Sequence, residues 1–211
     1  MREDFILLAM CATGITHRGS AGIKKKLYEV LQRFPHANSG DVKTGSEFNA
    51  ELEAIRKGFV DTSVLHYVFT DKETVVQVLE EIRKADLGIS IVLSGLFDEV
   101  EECCKRTDLK PHTVEHSAGV MGRTERLPDE RILGITTMCG HGLVAANLVL
   151  EMVKRIRRGK LSIEEAAAKL AGPCICGVFN PKRAERLLSE LVSVGMPRFR
   201  VRGTLQGRDY Y

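Results

Sequence analysis

Two short apolar runs, residues 5–11 and 89–93, constrain the fold more than any other feature of the chain. Neither approaches the roughly 20 apolar residues that a membrane span needs. Both are too evenly apolar for a strand with one wet face. Such a run reads as a β-strand covered on both sides. A third strand is expected over 63–69, where β-branched residues alternate with others. Helical spacing fills the gaps, over 21–34 with Ser20 as its cap, 47–57, 96–106, and a helix ending at Ala85 capped by Thr70 or Asp71. Strands alternating with helices predict an α/β fold, layered, with a mixed, partly parallel sheet flanked by helices.

Two further strands are expected, at 113–116 and 132–138, the second because its residues are largely β-branched. A charged, glycine-bearing connection joins them and suggests an antiparallel pair. Residues 35–45 read as a turn-rich connection. Beyond residue 143 everything reads as helix. Ser162 and Glu165 have capping-box spacing. Asn180 and Pro181 signal another start, cap followed by first-turn proline, for a helix over 182–192. The expected organisation is a sheet domain at 1–140, a helical C-terminal part at 141–196 packed on it, and a basic tail at 197–211.

The net charge of +3 over 211 residues is too small to argue for nucleic acid. The clusters at Lys24–Lys26, 154–160 and Arg198, Arg200 and Arg202 read as solvated helix faces and a basic tail. The start resembles a lipoprotein signal ending at Cys11. Its charged region is acidic and its apolar run short, so a first strand is the better reading. Six cysteines without a secretory signal suggest a reducing compartment, hence a cytoplasmic protein without a membrane segment.

Three of the cysteines lie in surroundings that ordinary core cysteines lack. Cys139 is followed by Gly140, His141 and Gly142, between an expected strand end and a helix start. Backbone amides at a helix start favour an anion, so this thiol is expected to titrate below its ordinary value of about 8.5. Cys174 and Cys176 flank Ile175 on a corner bounded by Pro173 and Gly177. Cys139, Cys174 and Cys176 are therefore expected to converge as ligands of a metal. An iron–sulfur cluster with one iron left open is the first candidate, and zinc completed by His141 or His116 the alternative. Cys11, Cys103 and Cys104 read as small buried hydrophobes.

Other residues suggest an anionic small molecule. Arg123, on the glycine-bearing loop after His116, and Lys182 and Arg183, at the last helix start, are candidate carboxylate or phosphate binders. Gly14 and Gly19 have P-loop spacing, but Ser20 stands where the lysine would be. That loop is a candidate anion cradle rather than a nucleotide site.

The pentapeptide Met138-Cys139-Gly140-His141-Gly142 resembles an active-site motif of the proline racemase and diaminopimelate epimerase group. The resemblance implies a cysteine base that moves an α-proton against a second, facing cysteine, without cofactor. The second motif of that group is Cys-Gly-x-Gly; here Cys176-Gly177-Val178-Phe179 lacks the last glycine. The resemblance covers five residues, and the chain lacks the group's two similar halves.

Three readings follow. The first is a metal protein, an enzyme of lyase or hydro-lyase type if it acts on a small anion by Lewis-acid chemistry. The second is a metal-free thiol racemase or isomerase, with Cys139 as base and Cys176 or His116 opposite. The third is a non-enzymatic metal or cluster carrier, or a redox sensor. A homo-oligomer in which the basic tail packs on a partner subunit is a further expectation.

Overall fold

The computed structural model describes residues 2–194. The expected basic tail lies outside them. Five strands form one sheet: β1 (Phe5–Met10), β2 (Asn38–Asp41), β3 (Gly45–Ser46), β4 (Leu65–Phe69) and β5 (Ser90–Ser94). Their order is β3-β2-β4-β1-β5. Every pairing is antiparallel, which overturns the expected partly parallel sheet.

The cause is interleaving. β1 and β2 run in the same direction and are joined through helix α1 (Ser20–Leu31). β4 and β5 also share a direction and are joined through α3 (Lys72–Ala85). Each pair would make a parallel unit if its strands were neighbours. Instead β4 inserts between β2 and β1, and β1 inserts between β4 and β5. The result is two split β-α-β units, each filling the other's gap.

Alternation places the aromatic core on one face. Phe5, Leu7 and Ala9 of β1 and Leu65, Tyr67 and Phe69 of β4 pack against Leu27, Tyr28 and Leu31 of α1 and Val75, Val78 and Leu79 of α3. Tyr67 stacks on Phe69 with ring centroids 5.7 Å apart. Its hydroxyl donates to the Tyr28 carbonyl at 2.9 Å, so burial leaves no unpaired phenol. Asp71 caps α3 through the Thr74 amide, as expected. Two shorter helices, α2 (Leu52–Gly58) and α4 (Phe97–Arg106), complete this half.

Residues 35–45 do more than turn. Asn38, Ser39, Gly40 and Asp41 form β2 and are all buried. Turn-forming residue types hide this strand from sequence reading. Next to it, His36 bridges the Phe34 carbonyl, 2.7 Å from Nδ1, and the Glu47 carboxylate, 2.9 Å from Nε2. Burial opposes protonation of this ring. The bonds to Glu47 and to the Phe34 carbonyl outweigh burial and raise its pKa. A raised folded pKa stabilises most fully below the unfolded histidine value of about 6.5, and that stabilisation is lost as pH rises through the folded value. Melting temperatures across this range are expected to fall on the alkaline side. Glu47→Gln should flatten that fall; an unchanged profile would show that the pair does not act.

The second half is helical: α5 (Glu130–Thr136), α6 (Ala146–Arg157), α7 (Ile163–Ala171) and α8 (Pro181–Val194). Residues 132–138 are therefore not a strand. Asp129 caps α5 by accepting from the Arg131 amide. Ile132, Ile135 and Met138 recur at helical spacing and are buried together. That spacing outweighs the β-branched composition. The expected strand at 113–116 is also absent. Those residues are exposed and have no regular structure. The Ser162–Glu165 capping box is present in full. Asn180 caps α8, its Oδ1 accepting from the Arg183 amide at 3.0 Å.

The helical half has its own core, which includes Cys139, Cys174, Cys176 and Phe179. Polar contacts join it to the sheet. Arg183 donates to Asp4 at 2.6 Å, the Asn180 amide donates to Asp4 at 3.0 Å, and Asn38 donates to the Gly177 carbonyl. Among the described residues, no helix is long and apolar enough to cross a membrane.

Candidate functional site

Cys139 lies on the turn after α5, where the Gly142 amide closes onto its carbonyl at 2.9 Å and Gly142 has φ +68°. It follows a helix rather than a strand. The next helix does not begin until Ala146. The helix-start field expected at Cys139 is therefore not present there.

Cys174 and Cys176 sit on the corner between α7 and α8. The Cys174 amide donates to Ala171 at 2.9 Å, and the Gly177 amide returns to Cys174 at 3.0 Å. This folding brings the two sulfurs 3.6 Å apart. Cys139 meets Cys174, and His141 meets Cys176. The contacts run in series, from His141 through Cys176 and Cys174 to Cys139. The three cysteines are only 2%, 3% and 7% exposed in chain order, whereas His141 is exposed. All six cysteines of the chain are free thiols.

The Cys174–Cys176 pair is polarised. Hydrogen bonding from Cys174 pulls the Cys176 thiol below its ordinary range. The Val178 amide and His141 act in the same direction, and burial opposes them. Cys174 is pushed up, first by that same hydrogen bond and then by burial. One sulfur is thus prepared as a thiolate and the other keeps the proton. Thiolate is the form that binds metal or attacks an electrophile. As they stand, no three or more His, Cys, Asp or Glu side chains among the described residues are grouped so as to hold a metal ion.

The remaining candidates other than Arg123 have contacts of their own. Ser20 does not cap α1; Gly19 holds that position with φ +76°. Ser20 donates to the His17 carbonyl at 2.7 Å and accepts from Lys24 at 3.1 Å. The amides of Gly19 and Ala21, at 2.9 and 3.0 Å, are taken by the Asp61 carboxylate. The expected anion cradle is therefore filled by the chain's own anion. Its amides hold the Asp61 pKa below the ordinary carboxylate value. Lys24, expected on a solvated face, is fully buried with its ammonium on the Asp61 carbonyl at 2.7 Å. Lys182 pairs with Glu185 at 3.0 Å, and Arg183 is committed to Asp4. His116 lies edge-on to Phe97, with ring centroids 6.0 Å apart. Arg123 is exposed ahead of a short 3-10 turn, Thr124–Arg126.

Sequence reading missed His66. It lies on β4 with its ring on the face opposite Tyr67, is fully buried, and has no hydrogen-bond partner at either ring nitrogen. Burial lowers its pKa to about 4, against the opposing charges of Asp41 and Glu47. It is a neutral imidazole. The only sequence signal is one histidine in an otherwise apolar strand, which is commonly a core residue. No family model, curated protein or solved structure matches this chain.

Proposed function

We propose that this chain is a cysteine-based metal protein whose centre is held by Cys139, Cys174 and Cys176, with His141 beside it. The 3.6 Å separation of the Cys174 and Cys176 sulfurs carries the reading. Two thiolates on one tetrahedral ion, each bond about 2.3 Å long, stand about 3.8 Å apart. The corner already sets them at nearly that spacing. Binding would draw Cys139 and His141 in from their present places in the series. The donor chemistry, three soft sulfurs and an imidazole, suits zinc or another soft divalent ion.

An iron–sulfur cluster is the second reading. Three cysteines on loops leave one iron open, and an open position polarises a hydroxyl or carbonyl of a small anion. It would require Cys174 and Cys176 to spread, because each cysteine then holds a separate iron. The paired states of Lys182 and Arg183 favour a carrier or sensor over an enzyme that acts on such an anion. Six free thiols suit a reducing, cytoplasmic setting. The thiol-racemase reading is weakened because Cys174 lies against both Cys139 and Cys176, in the gap that a substrate carbon between those two would need.

Protein purified without oxygen and analysed for metal tests the proposal. About one zinc per chain is expected, or a broad visible charge-transfer absorption if a cluster forms. Cys139→Ser and Cys176→Ser should each lose most of the metal, because a hydroxyl is a poor soft-metal ligand. Wild-type protein that holds neither zinc nor iron, and that takes up neither when reconstituted, would overturn it.

A further inference from the structure

In an extended chain, side chains two residues apart stand roughly 7 Å apart. Cys174 and Cys176 do not. The Gly177 amide donates to the Cys174 carbonyl at 3.0 Å and closes a four-residue turn over 174–177. That turn folds Cys176 back until its sulfur lies 3.6 Å from that of Cys174. A disulfide bond is about 2.05 Å long, so the sulfurs need to approach by roughly 1.5 Å. The corner also lies at the surface. Ile175, between the two cysteines, is 68% exposed. Cys176 is the less covered of the pair, and the exposed His141 meets Cys176 rather than Cys174. Cys176 is therefore the outer sulfur and Cys174 the one behind it.

We propose that Cys174 and Cys176 are a site of reversible two-electron oxidation, closed to a disulfide by a small hydroperoxide. Both residues are nearly buried, which leaves no approach for a bulky disulfide but admits a molecule of a few atoms. The Cys176 sulfur attacks the outer peroxide oxygen. An S–O bond forms as the O–O bond breaks, and the departing oxygen takes the thiol proton. The Cys174 sulfur then attacks the sulfenic Cys176. The S–S bond forms as the S–O bond breaks, and hydroxide leaves with the Cys174 proton as water. Two thiols have lost two hydrogens, and the hydroperoxide has become an alcohol and water. A cellular thiol reverses the bond by exchange through a mixed disulfide. The bond closes a loop of one intervening residue, so it constrains the unfolded chain little and adds little stability. Such a bond suits a reducing compartment, where disulfides are transient. The inference does not rest on the metal reading, because it needs only the two sulfurs.

The test uses the full-length reduced protein with a chelator present, so that no ion occupies the thiols. One molar equivalent of hydrogen peroxide is added, and the remaining thiols are then alkylated. The tryptic peptide 170–182 carries Cys174 and Cys176 and no other cysteine. It should appear unalkylated and lighter by two hydrogens, and a small thiol should restore it. The other four cysteines should stay alkylated. Cys174→Ser should stop at the sulfenic acid and give a dimedone adduct on Cys176. Peptide 170–182 alkylated at both cysteines after peroxide, or a disulfide between Cys139 and Cys174, overturns the inference. Protein that binds zinc but forms no such disulfide loses this inference alone. Protein that forms it but takes up no metal keeps the inference and loses the metal reading.

Discussion

Asp4→Ala is expected to destabilise the protein by about 3 kcal/mol or more. Asp4 precedes β1, and its carboxylate takes the Arg183 guanidinium at 2.6 Å. The side chains are only 13% and 7% exposed. Removing the carboxylate leaves a cation out of water with nothing opposite it. The burden is heavier because the Arg183 Nε already has no partner. Asn180, which also donates to Asp4, loses an acceptor at the same time. Denaturant unfolding would measure the loss. Arg183→Leu added to Asp4→Ala should recover much of it, because the stranded charge is then gone. A loss under about 1 kcal/mol for Asp4→Ala would mean that the pair behaves as an exposed one.

Gly177→Ala is expected to cost roughly 3 kcal/mol, from two sources. Gly177 has φ +72°, which side chains rarely adopt. The new Cβ would also lie 2.5 Å from His66 Cε1 and Nε2 and 3.0 Å from Ser46 Cβ. The ring is fully buried and cannot swing aside. Measured on metal-free protein, His66→Ala should remove most of the steric part. A double-mutant cycle between the two should therefore show a coupling above about 1 kcal/mol. Additive effects would show that the corner does not rest on the ring.

The strands β1 and β5 were legible from their apolar runs and β4 from its β-branched residues, but the burial on both faces expected of β1 and β5 is not met: β1 alternates between buried and half-buried residues and β5 between half-buried and exposed ones. Helices α3 and α7 announced themselves through Asp71 and Ser162. The direction of the strands was not legible. A strand, a helix and a second strand look alike whether or not a third strand slips between them, and β1 lies far from its partners in sequence. β2 was hidden because Asn38, Ser39, Gly40 and Asp41 are turn formers individually. At 132–138 composition misled, while the spacing of Ile132, Ile135 and Met138 held the answer. In the candidate site, glycine and proline marked Cys139, Cys174 and Cys176, the three cysteines that the fold brings into contact. His66 left no mark, since its distinction is the absence of partners, which only a folded chain shows. The acidity expected at Cys139 depended on a helix start that lies seven residues further on.

The interleaved sheet also bears on how the chain acquires its structure during synthesis. β1 leaves the ribosome first, yet Leu7 pairs with Tyr67 on one side and Leu93 on the other. The first strand made is thus the middle strand of the late partners. Until β4 and β5 emerge, an apolar hexapeptide has no edge to join. Contacts this distant in sequence slow folding and leave sticky segments uncovered for longer. Asp4 waits longer still, because Arg183 belongs to α8. The seam that carries the cysteine corner can therefore close only after almost the whole described chain has been made.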